Sequence, residues 1–310
     1  MSRIEKALEK AALLREGGTP SESVDKPGQV NPVYTPLTSH VPPQSSGYTN
    51  DNPLLVTLQG AQSPVAEEYR KLKSFLLSIT RKEKFKNALM VTSALGGEGK
   101  SLTSLNLAIS LAHEMDHTVL LVDADLRNPS IGKYLGIEAE RGLSDYLRNG
   151  TDLNELLVRP GIGKLAFLPA GKMVGNPVEL LASHRMRDLL NELKNRYPDR
   201  YIIIDTPPVL PFAETHALSQ MVDGVLFVVR EGVASTRNIT EAIHSLKTAN
   251  VMGVVYNASS QNEMVSRYGY YGYSAANGEN QNTSGNDELE AEADGNRKHG
   301  LIKKLLKRAE

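Results

Sequence analysis

The sequence predicts an α/β protein with a doubly wound, mostly parallel sheet. Three observations carry that expectation. Short apolar runs alternate with longer amphipathic stretches from Asn87 onward, a glycine-rich turn joins one run to the next amphipathic stretch, and carboxylates directly follow two of the other runs. Strands of a parallel sheet are covered on both faces, so they read as continuous apolar segments.

The elements follow in order. Ser2 and Glu5 have capping-box spacing, and Ile4, Ala7, Leu8, Ala11 and Leu14 recur at helical intervals, giving an amphipathic helix within residues 1–16. It either docks on its own domain or anchors a partner. Eight of the 16 prolines precede Val65, and residues 17–62 mix them with Gly, Ser, Thr and Asn without a period, the composition of a flexible linker. Ser63-Pro64 is an N-cap and N1 pair, after which Val65, Tyr69, Leu72, Leu76 and Ile79 mark one helical face.

The folded domain is expected over residues 63–260, with strands at ALMVTS, TVLLVD, KLAFLP, YIIID, GVLFVV and VMGVVYN. A helix runs from Lys100 to His113, another from the Asn176-Pro177 cap to about Asn195, and a third from Thr236 to near Asn250. Residues 261–274 hold Tyr268, Tyr270, Tyr271 and Tyr273, four of the chain's 12 tyrosines in six residues. Gly269, Gly272 and Ser274 between them favour a mobile segment over a packed aromatic strand or a base-stacking surface. Residues 275–310 turn acidic and then basic, and Leu301, Ile302, Leu305 and Leu306 share a helical face beside Lys303, Lys304, Lys307 and Arg308.

Composition removes several classes of function. The 310 residues are 40% hydrophobic, enough for a substantial core, and carry a net charge of −1, which gives the whole molecule no bias toward nucleic acid or anionic lipid. The basic tail from Arg297 to Arg308 follows an acidic stretch that opposes phosphate attraction, so no nucleic-acid partner is expected. Without cysteine there are no disulfides, thiolate metal sites or thiol catalysis. The start lacks an apolar signal core, and the longest apolar runs, around Val225 to Val229, are too short to span a bilayer, so a cytoplasmic protein is expected.

SALGGEGKS (Ser93 to Ser101) follows an apolar strand and opens a helix, the setting of a phosphate-binding loop. Gly96, Gly97 and Gly99 let backbone amides curl around phosphate oxygens, with Glu98 between them and the helix N-terminus continuing through Leu102. Lys100 supplies charge to the outer phosphates, and the Ser101 hydroxyl suits Mg²⁺. Asp123 and Asp125 in LLVDADLR and Asp205 in YIIIDTPP end strands that converge on the same crevice. Ser101, Asp205 and Asp125 suit a metal shell, leaving Asp123 to accept or orient a hydroxyl proton, with the division between Asp123 and Asp125 open. Arg127 either stabilises phosphate charge or pairs with Asp125. Asn257, after VMGVVY, is placed for an adenine contact or serves as a turn residue.

These residues resemble the bacterial tyrosine kinases, the BY-kinases, over roughly Val65 to Tyr273. SALGGEGKS matches their Walker A loop, LLVDADLRNPSI their additional Walker A′ element and YIIIDTPP their Walker B, with the tyrosine cluster following. The resemblance implies a P-loop fold, ATP and Mg²⁺ as cofactors, and autophosphorylation of the cluster between chains. By the same carry-over Lys100 and Ser101 bind ATP and metal, Asp123 is the base, and Asp125 and Asp205 serve Mg²⁺. Glu67, Arg70 and Lys73 resemble the family's oligomerisation motif E-x-x-R-x-x-R and imply a homo-oligomer, with lysine in place of the final arginine's planar fork.

The opening MSRIEKALEKA and the long linker are similar to the cytoplasmic autokinases of exopolysaccharide systems, of the exosortase-associated type. That likeness implies a membrane chain-length-determinant or co-polymerase protein as activator, recruitment to the inner face of the membrane, and a cognate tyrosine phosphatase. Two rival functions stand beside it. One is a nucleotide-dependent switch of the septum-positioning (MinD) or chromosome-partitioning (ParA) type, whose loop carries an extra lysine where this chain has Leu95; the other is a non-catalytic, ATP-controlled scaffold.

Overall fold

The computed structural model describes residues 52–58, 63–81, 85–197 and 199–259. The expected N-terminal helix, most of the linker, the tyrosine segment and the tail lie outside the described residues. Six strands form one sheet: β1 (Ala88–Ser93), β2 (Thr118–Asp123), β3 (Leu165–Leu168), β4 (Arg200–Asp205), β5 (Gly224–Arg230) and β6 (Val251–Asn257). They run in the order β3-β2-β4-β1-β5-β6, and every neighbouring pair is parallel. All carboxyl ends therefore share one edge of the fold, where an open α/β sheet binds its ligand.

The alternation of side chains along each strand feeds two apolar layers. Ala88, Met90, Ile202 and Ile204 join one layer, while Leu89, Val91, Tyr201 and Ile203 join the other. Helices α1 (Pro64–Thr80) and α2 (Lys100–Ala112) cover the second layer. The first is covered by α4 (Leu143–Asn149), α5 (Leu153–Leu156), α6 (Pro177–Leu181), α7 (His184–Arg196), α8 (Ala213–Ser219) and α9 (Thr236–Ser245). Short α3 (Ile131–Leu135) follows β2 and contributes Ile131 and Leu135 to the second layer.

Ser63 caps α1 as the sequence implies, its Oγ accepting from the Ala66 amide at 3.0 Å with Pro64 in the first turn. The buried face is carried by Ala66, Leu76 and Thr80, whereas Val65 points outward. The single helix expected from Pro177 to about Asn195 is two. Ser183 interrupts it, accepting from Met186 N at 3.2 Å as the cap of α7 and donating to Leu180 O at 2.7 Å. The last helix stops at Ser245 and continues to Asn250 only as turns, because Leu246 N bonds back to both Ala242 and Ile243 carbonyls.

Residues 52–58, which fall inside the expected linker, instead fold onto α2. Leu55 is fully buried in the second layer. Asn106 fixes the turn: its Nδ2 donates to Leu54 O at 2.9 Å, and its Oδ1 accepts from Thr57 N at 3.2 Å and Thr57 Oγ1 at 3.0 Å. Leu58 also packs on the second layer, and Asn52 Nδ2 donates to Tyr134 O at 3.2 Å, so a proline-containing segment without helical or strand period is held by a few tertiary contacts. Replacing Asn106 with Ala leaves its partners unsatisfied, so thermal or denaturant melts should show a loss of about 1–3 kcal/mol. Protease cleavage near 52–58 should rise in parallel.

Candidate active site

The turn after β1 curls because Gly97 and Gly99 adopt φ of +81° and +88°, a backbone that glycine takes without strain. A Cβ at Gly96 or Gly97 would meet nothing within 4 Å, and both glycines are exposed. Because α2 begins at Lys100, the amides of Lys100, Ser101 and Leu102 have no partner one turn earlier in the helix and are available to an anion. The Leu102 side chain packs into the second apolar layer, so its contribution is the amide alone.

Lys100 Nζ donates to Asp125 Oδ2 at 2.8 Å and to Ser101 Oγ at 3.2 Å, and lies 3.9 Å from Asp205 Oδ2. Sheet register makes this possible. Asp123 at the end of β2 is the direct partner of Asp205 at the end of β4, and Asp205 is in turn the partner of Val91 in β1. Asp123 Oδ1 accepts from Asp125 N, and its Oδ2 accepts from the amides of Ser130 and Ile131, all at 3.2 Å. Asp125 Oδ1 caps the Asn128 amide at 3.0 Å.

Three buried carboxylates thus face one ammonium, an excess of two negative charges when all are ionised. Burial opposes the charge on Lys100, but Asp205 and Asp125 outweigh it and hold the ammonium above its usual range. Burial and the nearby Asp205 raise Asp123 to about 8, against the pull of the Ile131 amide. Burial also raises Asp205, despite Lys100. Asp205 Oδ1 accepts from Ser104 Oγ at 3.1 Å, but its buried Oδ2 receives no hydrogen bond.

An unbonded buried carboxylate oxygen beside excess negative charge is a fit for a hard divalent cation. Among the described residues no three acidic or histidine side chains form a ready-made metal cage. A cation here would therefore take its other ligands from Asp125, Ser101, an anionic ligand and water.

Several residues are placed differently from their sequence reading. Glu98 turns its side chain inward, Oε2 accepting from Leu95 N at 2.7 Å and Oε1 from Arg230 N at 3.4 Å, so the side chain shapes the loop and only the backbone amide is left to meet a ligand. Arg127 pairs with Glu214 and not with Asp125. It forks onto the fully buried Glu214 at 2.5 and 3.4 Å and lies 4.7 Å over the Phe212 ring. Asn257 reaches the loop, its Nδ2 donating to Glu98 O at 2.9 Å. In α1, Arg70 pairs with Glu67 at 2.6 Å, whereas Lys73 turns to Glu114 at 2.5 Å. Tyr268, Tyr270, Tyr271 and Tyr273 lie outside the described residues.

Sequence reasoning missed Ser104 and Glu214. Ser104 was findable, since it stands one helical turn after Lys100 and so faces the same way. Glu214 carries no motif; only the packing of α8 against the loop after β2 reveals it.

Residues 87–254 match the AAA domain family. The chain is 32% identical over 222 residues to the tyrosine-protein kinase YwqD of Bacillus subtilis (strain 168), covering 70% of this chain and 91% of that one. It is also 32% identical over 211 residues to the tyrosine-protein kinase etk of Escherichia coli (strain K12), covering 67% of this chain but 28% of that longer protein. The solved kinase domain of the Escherichia coli tyrosine kinase ETK superposes with a TM-score of 0.61 at 28% identity, over 77% of this chain and 89% of that domain.

The raised Asp123 has a measurable consequence. A carboxyl whose folded pKa exceeds its unfolded value costs stability as pH rises, starting near the ordinary value of 3.8 and complete above about 8. Without nucleotide, the protein should melt lower at pH 9 than at pH 5. Asp123→Asn should shrink that difference, as read by differential scanning fluorimetry.

Proposed function

The chain belongs to the bacterial tyrosine-protein kinases, and from that premise we propose that it is an ATP-dependent autokinase acting on Tyr268, Tyr270, Tyr271 and Tyr273 of another copy. The observation that carries this reading is the buried group of Lys100, Asp123, Asp125 and Asp205 at the mouth of an open phosphate loop. It combines a phosphate-binding cation, a metal-seeking carboxylate and a second carboxylate for the acceptor proton.

In this reading the amides of Gly96 to Leu102 hold the phosphates of ATP, and Lys100 leaves its carboxylate partners for the outer phosphate oxygens. Ser101, Asp125 and Asp205 would hold Mg²⁺, which neutralises charge on the transferred group and the leaving phosphate. Asp123 takes the proton as the tyrosine oxygen bonds to the γ-phosphorus and the bond to the β–γ bridging oxygen breaks, releasing ADP. Asp123 is sealed by the Ser130 and Ile131 amides, so a tyrosine hydroxyl reaches it only when the 124–130 turn shifts. Cationic charge at the neighbouring carboxylates lowers its pKa toward a working base.

The biological setting proposed is exopolysaccharide polymerisation and export. A membrane chain-length-determinant protein would recruit and activate the kinase at the inner face of the membrane, and a cognate phosphatase would reset it. Glu67 and Arg70 are exposed on α1 and suit contact with a second copy; Lys73, already paired with Glu114, would have to exchange partners to join them. Phosphates added to the four tyrosines would load one segment with negative charge and favour separation of copies. Among the described residues no helix is long and apolar enough to cross a membrane.

The test is to incubate the purified full chain with Mg-ATP, with and without membrane extract, and map phosphate by mass spectrometry. Phosphate is expected on Tyr268 to Tyr273 and should fall by about a hundredfold or more in Lys100→Met. Replacing the four tyrosines with Phe should remove most phosphate while ATP still binds. ATP hydrolysis without phosphotyrosine under either condition would overturn the autokinase in favour of a switch.

A further inference from the structure

The last strand of the sheet ends against the phosphate loop. Arg230 in β5 and Asn257 in β6 are register partners at the carboxyl ends of those strands, and both grip the loop. Arg230 Nη1 donates to Gly97 O at 3.1 Å, and its amide donates to Glu98 Oε1 at 3.4 Å. Asn257 Nδ2 donates to Glu98 O at 2.9 Å. Gly99, at φ +88°, lies so close that a Cβ there would collide with the Asn257 amide. Glu98 itself is fully buried and closes the turn onto Leu95 N at 2.7 Å.

The other end of the Asn257 amide is also engaged: its Oδ1 accepts from Ala258 N at 2.9 Å. Ala258 has a φ of +51°, the one positive φ among the described non-glycine residues, a conformation that persists only where surrounding contacts impose it. A bidentate asparagine–adenine contact uses both the side-chain oxygen and the side-chain nitrogen. Here the oxygen is committed to the chain's own backbone, and one amide hydrogen to the loop.

We infer that Asn257 is a positioning residue: with Arg230 and Glu98 it forms a latch that sets the curvature of the phosphate loop, so that phosphate affinity depends on the end of β6 and base identity does not. This rests on the reading that the loop binds nucleotide phosphates. Binding is therefore measured directly, in a way that does not need phosphotyrosine to form.

The experiment is calorimetric titration of the full chain with ATP, GTP and inorganic triphosphate, each with Mg²⁺, for the unsubstituted protein, Asn257→Ala, Asn257→Ser and Glu98→Gln. Both Asn257 variants are neutral, so they add no repulsion toward phosphate. The latch predicts that each weakens all three ligands by the same factor, about tenfold. It also predicts that Asn257→Ala with Glu98→Gln loses clearly less than the product of the single losses, because both break one unit. Loss of ATP binding alone, with triphosphate unchanged, would make Asn257 a base reader and overturn the inference. So would unchanged binding in both Asn257 variants, or full additivity with Glu98→Gln. Failure of the unsubstituted chain to bind any of the three would remove the nucleotide reading and the latch together.

Discussion

The register between β2 and β4 is the constraint from which the rest of the site follows. Parallel pairing sets Asp123 directly beside Asp205, and the same ladder brings β1 and its glycine turn alongside Asp205. A shift of one residue in either strand would send one carboxylate to the opposite face of the sheet. With the register held by apolar layers on both faces, two like charges are forced together where neither is solvated. Lys100 is the cation that makes this tolerable, and the raised pKa of Asp123 and of Asp205 records what it leaves uncompensated.

That residual imbalance is informative about function. Structural ion pairs in protein interiors tend toward local neutrality and full hydrogen bonding, because unpaired buried charge costs several kcal/mol. This site keeps an excess of carboxylate and a carboxylate oxygen without a hydrogen bond. Such an arrangement is less stable alone than with a cation bound beside it, which is the electrostatic condition the proposed metal site would relieve.

The supports around the site come from both sides of the sheet. Arg127 and Glu214 tie the turn after β2 to α8, while Asn257, Arg230 and Glu98 tie the phosphate loop to β5 and β6. Each is a polar contact between segments far apart in sequence, and each holds a loop that carries candidate site residues. Residues 52–58 brace the back of α2 through the apolar contact of Leu55 and the hydrogen bonds of Asn106.

The sequence by itself determined the fold class, the six strands, the glycine turn after β1 and the strand-end carboxylates of the candidate site, because period, glycine placement and strand-end position are local properties of the chain. It also identified Ser63 as a cap, a choice made within one helical turn. It did not reveal the break at Ser183, where a local cap overrode an apolar period that ran on. Nor did it reveal the inward turn of Glu98, the partner of Arg127, the engagement of Asn257, or the order in residues 52–58. Those were decided only by tertiary structure, since each depends on which distant segment arrives with a free donor, a free acceptor or an apolar cavity, and sequence spacing does not encode that meeting.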